Sequence, residues 1–220
     1  MGVKGFTKKP LFPLRDNEIE WADEKLGDFQ SNHRDLIGIH PGASGAHKRW
    51  PLGNFIRLAS KLADEYGYGI IVFGDKSEQD LGKTLKKALP SNVMDMTGRA
   101  SLPETAALMA RCSLMVCNDS GPMHLAAAVG TPIISLFFST HFMETGPYGE
   151  NHIVLYPDIE CFPCLGTAAC PHRKCLESIR VEAVEKVIAN WDEIQKGAGV
   201  LPSDWDHSVK VNRSRFDPWG

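Results

Sequence analysis

The run Ser113-Leu114-Met115-Val116-Cys117-Asn118-Asp119-Ser120-Gly121-Pro122-Met123-His124-Leu125-Ala126-Ala127-Ala128-Val129 decides the fold. Its first five residues form a short apolar run that suits a buried strand, and its last five are small and apolar, as in a packed helix. Between them, Ser120, Gly121 and Pro122 supply the residue types that start helices. A strand feeding straight into a helix start leaves free backbone N–H groups at the positive end of the helix dipole, a natural seat for a phosphate. Here the seat is furnished with the carboxylate of Asp119, the hydroxyl of Ser120, the flexible Gly121 and the imidazole of His124. A plain helix start, with Ser120 as cap, Pro122 in the first turn and His124 as a partly buried histidine, explains each residue singly but not their company. A hydrolase nucleophile elbow is not matched, because Asn118 stands where that motif needs glycine.

Outward from this junction the alternation repeats. Leu36–His40, Gly69–Phe73, Val93–Met96, Ser113–Cys117, Pro132–Phe137 and Ile153–Leu155 read as strands. Helical composition or spacing marks Asp16–Leu26, the segment from Trp50-Pro51 to Gly67, Glu78–Leu89, Pro103–Arg111, Met123–Val129 and Val181–Trp191. Strands alternating with helices require right-handed crossovers and a parallel sheet covered on both faces. The predicted fold is therefore one doubly wound, Rossmann-like α/β domain over residues 34–196, preceded by a lead-in over 1–33. The stretch 197–220 is polar and aperiodic and reads as a tail that packs loosely or against something absent. In such sheets ligands bind beyond the carboxyl ends of the strands, where the winding reverses. The loops after His40, Phe73, Cys117 and Phe137 should gather there.

Composition narrows the function classes. The 24 basic and 27 acidic residues give a net charge of −3, so no global field favours nucleic acid or an anionic membrane. No apolar run approaches bilayer length, and Met1–Pro10 lacks the apolar core of a signal peptide. The expected location is the cytoplasm or the inner face of the membrane, with at most peripheral membrane association.

Two further loops belong to the predicted edge. The first, His40 to Trp50, holds Gly42, Ser44 and Gly45, which let backbone approach a ligand, and Lys48 with Arg49, which can neutralise phosphate. It is neither a P-loop nor a Gly-x-Gly-x-x-Gly fingerprint, and alone it also reads as a solvated surface loop. The second, Gly74 to Glu78, offers carboxylates to the vicinal hydroxyls of a ribose. Helix capping by Asp75 or Ser77, with Glu78 in the first turn, explains it equally.

Taken in order, Ile-His-Pro-Gly-Ala-Ser…Lys-Arg-Trp-Pro, Val-Phe-Gly, Thr97-Gly98-Arg99-Ala100-Ser101-Leu102 and Asn-Asp-Ser-Gly-Pro-Met-His-Leu-Ala-Ala-Ala resemble the ADP-heptose:lipopolysaccharide heptosyltransferases, family 9 of the glycosyltransferases. The resemblance runs from about Leu14 to Trp191. It implies a GT-B enzyme, two Rossmann-like domains facing across a cleft, of which this chain matches the C-terminal, sugar-nucleotide half. Residues 1–33 then become the interdomain segment and lead-in helix. An N-terminal acceptor domain, with the aspartate that serves as general base, is expected to be missing, leaving this chain inactive alone. By position, the resemblance implies Ser44 and Lys48 on the diphosphate, Glu78 (or Asp75 in its place) on the ribose, and Ala100, Ser101 and Leu102 along the adenine. It likewise implies Asp119, Ser120, Gly121 and His124 on diphosphate and heptose. Lys48 and His124 would stabilise the leaving group, with no cofactor required. Ala43 stands where some members carry a second hydroxyl residue, so phosphate contacts there fall to backbone. The implied substrates are ADP-heptose and a lipopolysaccharide core acceptor.

Six cysteines complete the chain's chemistry. Cys112 and Cys117 read as inert buried thiols beside a strand. Cys161, Cys164, Cys170 and Cys175 share the loop 158–176, and four thiolates at short spacing suit a closed structural zinc or iron site. Reduced loop thiols, or disulfides formed on purification, are the alternatives, because the second pair departs from Cys-x-x-Cys. Two other functions stay open: a stand-alone nucleotide-sugar-binding or interaction module, and a phosphoesterase using Asp119 and His124.

Overall fold

The structure, a computed structural model, describes residues 11–89, 91–164, 170, 172–191, 193 and 209–216. The strands are β1 Leu36–His40, β2 Gly69–Val72, β3 Val93–Asp95, β4 Leu114–Asn118, β5 Ile133–Leu136, β6 Gly149–Pro157 and β7 Val209–Phe216. The helices are α1 Asp16–Ser31, α2 Leu52–Asp64, α3 Gln79–Ala88, α4 Leu102–Met109, α5 Gly121–Ala128, α6 Phe142–Thr145, α7 Cys175–Ser178 and α8 Val181–Ala189. The sheet order is β3-β2-β1-β4-β5-β6-β7, parallel throughout except for the β6–β7 pair. This is the doubly wound order, and the winding reverses between β1 and β4.

Strand residues alternate between two cores, as a pleated sheet buried on both faces requires. Ile37, Ile39, Ile70 and Val72 pack with α2, α3 and α8, while Leu36, Ile71 and Met115 pack with α1, α4 and α5. The lead-in helix is part of that second core. Ala22 and Leu26 of α1 are buried, and Asp23 accepts two hydrogen bonds from Arg111, at 2.6 and 2.8 Å. The helical pattern that ends at Leu26 meets a kink at Gly27 (φ +39°), beyond which α1 resumes to Ser31. Among the described residues, no helix is long and apolar enough to cross a membrane.

The stretch read as an aperiodic tail differs from expectation. Its residues 209–216 form β7, antiparallel to β6 with Leu155 opposite Val211 and Pro157 opposite Val209. Residues 197–208 and 217–220 lie outside the described residues.

Candidate functional site

His40 ends β1 and faces Cys117 across the β1–β4 register, so the first loop and the Asn118–Ser120 junction leave the sheet side by side at the switch point. Asn118, fully buried, binds them together. Its Nδ2 donates to the carbonyls of Pro41 (2.9 Å) and Gly42 (3.1 Å), and its Oδ1 accepts from the Trp50 backbone N–H (3.0 Å). Arg49 closes the loop from within by donating from Nε and Nη2 to the Ala43 carbonyl. Trp50, 1 % exposed, anchors its far end through Nε1 to the carbonyl of Ile179 (2.8 Å).

These loops wall a cleft of about 610 Å³. Ser44, Lys48, Glu78, Asp119, Ser120, Gly121 and His124 all line it, as the sequence reading expects, together with His40, Arg49, Asp75, Ser77 and Thr145. Ala100, Ser101 and Leu102 do not. They begin α4 on the neighbouring loop, where Ser101 forms a capping box with Glu104 and Leu102 is exposed. That loop is tied to the second one by the Gly98 N–H donating to the Gly74 carbonyl (2.9 Å). Another cavity, of about 440 Å³, opens at the amino ends of the strands between Arg34, Tyr68 and Trp191, and gathers none of the predicted residues.

The cleft's charges are arranged in pairs. Lys48 Nζ donates to Asp119 Oδ2 at 2.6 Å, and Thr140 Oγ1 donates to the same oxygen at 2.5 Å. Asp119 is 5 % exposed, so it holds Lys48 at the wall and leaves the ammonium's other N–H groups for a ligand. Ser120 occupies the N-cap of α5 without capping it. Its hydroxyl instead lies 3.1 Å from His40 Nδ1 and 3.0 Å from the Asn118 carbonyl. At the start of α5 Pro122 has no N–H and the Met123 N–H donates to the Ser120 carbonyl (3.1 Å), so an anion seated here would meet the Gly121 N–H and the positive end of the helix.

The second loop carries the capping that its sequence suggests, with both carboxylates at the cleft. Asp75 accepts from the Ser77 N–H (2.7 Å) and hydroxyl (2.6 Å), while Glu78 Oε2 accepts from the Asp75 N–H (3.0 Å) and lies 3.1 Å from His40 Nε2. The hydrogen bond from His40 holds the Glu78 carboxyl below its ordinary range, against the opposing effect of burial. A depressed carboxylate stabilises the fold above its unfolded value, and that stabilisation is lost as pH falls through the folded one. Gly42 lies against this carboxylate so closely that a Cβ there would overlap Glu78 Oε1. Gly42→Ala should therefore displace Glu78 from His40 and weaken nucleoside binding more than inorganic pyrophosphate binding, measured by parallel titrations. Equal losses for both ligands would mean that Glu78 does not meet the nucleoside.

His124 stands exposed on the cleft rim, yet lost hydration over the protein surface lowers its pKa, outweighing the upward pull of Asp119. The free protein thus carries a neutral His124 at neutral pH. Because the folded pKa is the lower one, the fold loses stability as pH falls through and below the ordinary imidazole range.

In the cysteine loop, Cys161 is exposed, Cys164 and Cys170 are partly exposed and Cys175 is buried. Burial raises the Cys175 pKa, and the charges of Cys164, Cys161 and Cys170 raise it further. The Arg173 and His172 backbone N–H groups lower that of Cys170. Among the described residues no three His, Cys, Asp or Glu side chains are drawn into a coordination shell. Residues 165–169 and 171 of the loop lie outside the described residues. Cys112 and Cys117 are buried, and burial pushes both thiols far up, in keeping with an inert role.

Sequence reasoning passed over His40, Asn118, Thr140 and Thr145. Among the described residues the Thr145 hydroxyl is buried without a hydrogen-bond partner at the cleft wall. Nothing local marks these four: His40, Asn118 and Thr140 act on partners far along the chain, and Thr145 reaches the cleft wall from a short helix with no motif of its own.

Comparison with known proteins gives the family and the fold. The family model described as glycosyltransferase family 9 (heptosyltransferase) matches residues 2–174. Lipooligosaccharide heptosyltransferase 2 of Campylobacter jejuni is 32 % identical over 161 residues, covering 70 % of this chain and 50 % of that protein. Lipopolysaccharide heptosyltransferase 2 of Escherichia coli is 37 % identical over 112 residues, 49 % of this chain and 32 % of that protein. Among solved structures, the E. coli ADP-heptose lipopolysaccharide heptosyltransferase II superposes with a TM-score of 0.70 at 26 % identity, over 86 % of this chain and 55 % of that one. The family 9 glycosyl transferase of Veillonella parvula gives 0.73 at 26 % identity, over 82 % and 52 %. The match thus spans 32 to 50 % of these two heptosyltransferase sequences and 52 to 55 % of the two solved structures.

Proposed function

This chain belongs to glycosyltransferase family 9, the heptosyltransferases, and on that premise we propose that its cleft binds the nucleotide diphosphate of ADP-heptose for inverting transfer to a lipopolysaccharide core acceptor. The observation that carries the proposal is the Asp119-held Lys48 sharing a cleft of about 610 Å³ at the switch point with Gly121 at the start of α5. Charge grows on the departing diphosphate in such a transfer. A held ammonium, the Gly121 N–H and the positive end of α5 would meet that charge without reorganising. Glu78 is assigned to the ribose and the Ala100–Leu102 segment to the adenine. The transfer draws on no cofactor in this reading.

The acceptor and the base that takes its proton are assigned to a part of the enzyme outside these 220 residues, so this chain alone turns over no acceptor. We place the enzyme in the cytoplasm, at the inner face of the membrane where a lipid-linked core would be met. Calorimetric titration tests the binding half of the proposal. ADP and ADP-heptose should bind, and UDP and UDP-sugars more weakly. Failure of all four, or equal affinity for uridine and adenine ligands, contradicts it. Release of ADP from ADP-heptose without acceptor would point to a hydrolase instead.

His124 adds a pH signature. A diphosphate beside it favours the imidazolium, opposing the desolvation that lowers its pKa in the free protein. Binding of ADP at about pH 6 should therefore take up a fraction of a proton, read as a binding heat that varies with the ionisation enthalpy of the buffer. His124→Ala should remove that part of the uptake; an unchanged uptake would take His124 out of the site.

The donor chemistry of Cys161, Cys164, Cys170 and Cys175 suits a closed structural zinc or iron site, although the described residues form no coordination shell. Elemental analysis of protein purified without chelator should find about one metal ion per chain. Metal-free protein in which all four thiols react with a thiol reagent contradicts a metal there.

A further inference from the structure

His40 is 2 % exposed, is bonded at both ring nitrogens and is not needed to explain the diphosphate seat as described so far. We propose that His40 is a positioning residue for the diphosphate, its Glu78-held imidazole controlling whether the Ser120 hydroxyl donates its proton to the protein or to the ligand. The proposal rests on the diphosphate reading of the cleft.

The hydroxyl has one proton and two acceptors within reach, His40 Nδ1 at 3.1 Å and the Asn118 carbonyl at 3.0 Å. On the other side of the ring, His40 Nε2 is 3.1 Å from Glu78 Oε2. Glu78 is held ionised by that bond, so Oε2 is an acceptor and Nε2 must keep its proton. In a neutral ring, Nδ1 is then the bare nitrogen, and it takes the Ser120 proton. When a phosphoryl oxygen claims that proton instead, a lone pair of Ser120 Oγ is left facing the lone pair of Nδ1. Solvent supplies one proton to Nδ1, which then donates to Oγ, and the imidazolium is bonded on both sides. No covalent bond changes. The hydroxyl becomes a donor to the ligand, and the cation adds a positive charge behind it.

The charged and titratable groups that line the cleft with the ring are Glu78 and Asp75 of the second loop, Lys48 and Arg49 of the first, and Asp119 and His124 around the third. Asp75 and Asp119 favour the cation. Lys48 opposes it but is paired with Asp119 at 2.6 Å.

The test is nitrogen-15 NMR of the uniformly labelled full chain at about pH 8, above the ordinary range of a free imidazole. The His40 ring is identified by its loss in His40→Gln. On saturation with ADP, or with pyrophosphate as the bare probe, Nδ1 should pass from the unprotonated to the protonated range while Nε2 stays protonated. If the Gly121 and Ser120 amides move and Nδ1 does not, the proposal is overturned and the diphosphate site stands. If no amide near the cleft moves with either ligand, both fall. In the binding assay, His40→Gln keeps a donor to Glu78 but loses Ser120, and should weaken ADP about tenfold. Ser120→Ala should do the same, the double variant should lose no more than either, and His40→Asn, which keeps a partner for Ser120, should recover part of the loss. Additive losses would mean that the two residues act separately. Should His40→Gln fail to fold, the NMR reading is repeated on Ser120→Ala, where ADP should leave Nδ1 unchanged; a shift there overturns the proposal.

Discussion

Lys48→Ala should weaken ADP binding by about 100-fold, the loss of one charge-assisted contact made worse by what remains behind it. Removing the ammonium frees the Asp119 carboxylate, 5 % exposed and bonded on only one side by Thr140, to face the incoming diphosphate. Two anions would then share one wall of the cleft. A sharper expectation follows from that repulsion. The double variant Lys48→Ala/Asp119→Ala should bind ADP better than Lys48→Ala alone, because the unpaired carboxylate has gone. Calorimetric titration of the three proteins at one ionic strength measures this. If the double variant binds more weakly than Lys48→Ala, Asp119 contacts the ligand through its own favourable bonds and does not serve chiefly as the anchor of Lys48.

Asn118→Ala should destabilise the fold by about 3 kcal/mol. The amide is fully buried and makes three hydrogen bonds, to the carbonyls of Pro41 and Gly42 and from the N–H of Trp50. Alanine leaves those backbone groups without their partner at the junction of β1, β4 and the first loop. For a chain of this size the thermal midpoint should fall by roughly 10 °C. Asn118→Asp should do no better, because a carboxylate oxygen would face two carbonyls where an amide N–H₂ now donates. A midpoint within a degree or two of the parent for either variant would show that the loop is held from elsewhere, with the Trp50 side chain and Arg49 as the remaining candidates.

The parallel strands were legible because each is a short apolar run closed by turn residues, and burial on both faces leaves no polar alternation to confuse the reading. The Lys48, Glu78, Asp119, Ser120 and His124 cleft was legible for a related reason. Once the winding is known, loops after neighbouring strands must meet, and their polar residues meet with them. What lay beyond reach depends on pairing over long separations. His40 meets Glu78 and Ser120, 38 and 80 positions away, and looks in the sequence like the last residue of a strand. Thr140 reaches Asp119 across 21 positions from a loop with no motif of its own.

β7 escaped for a different reason. An antiparallel edge strand needs only a few inward apolar residues, and Lys210 on the same strand is exposed and pairs with Asp158 at 3.0 Å, as edge strands commonly do. Val209 and Val211 alone carry its inward face among the residues whose side chains are described, too little for a periodic signal. The Ser120 side chain was misleading in the opposite sense. Its position is that of a helix cap, yet its hydroxyl turns to His40 and Asn118, a choice set by the β1–β4 pairing and invisible in local sequence.

The central claim is that the diphosphate of a nucleotide sugar sits between Lys48 and the start of α5. The most direct measurement is a crystal structure of this chain soaked or grown with ADP. The account predicts phosphate oxygens within hydrogen-bond distance of Lys48 Nζ and the Gly121 N–H, with the ribose turned to Glu78. ADP found in the cavity at the amino ends of the strands, beside Tyr68 and Trp191, or bound in the cleft with its phosphates away from Lys48 and α5, would contradict it.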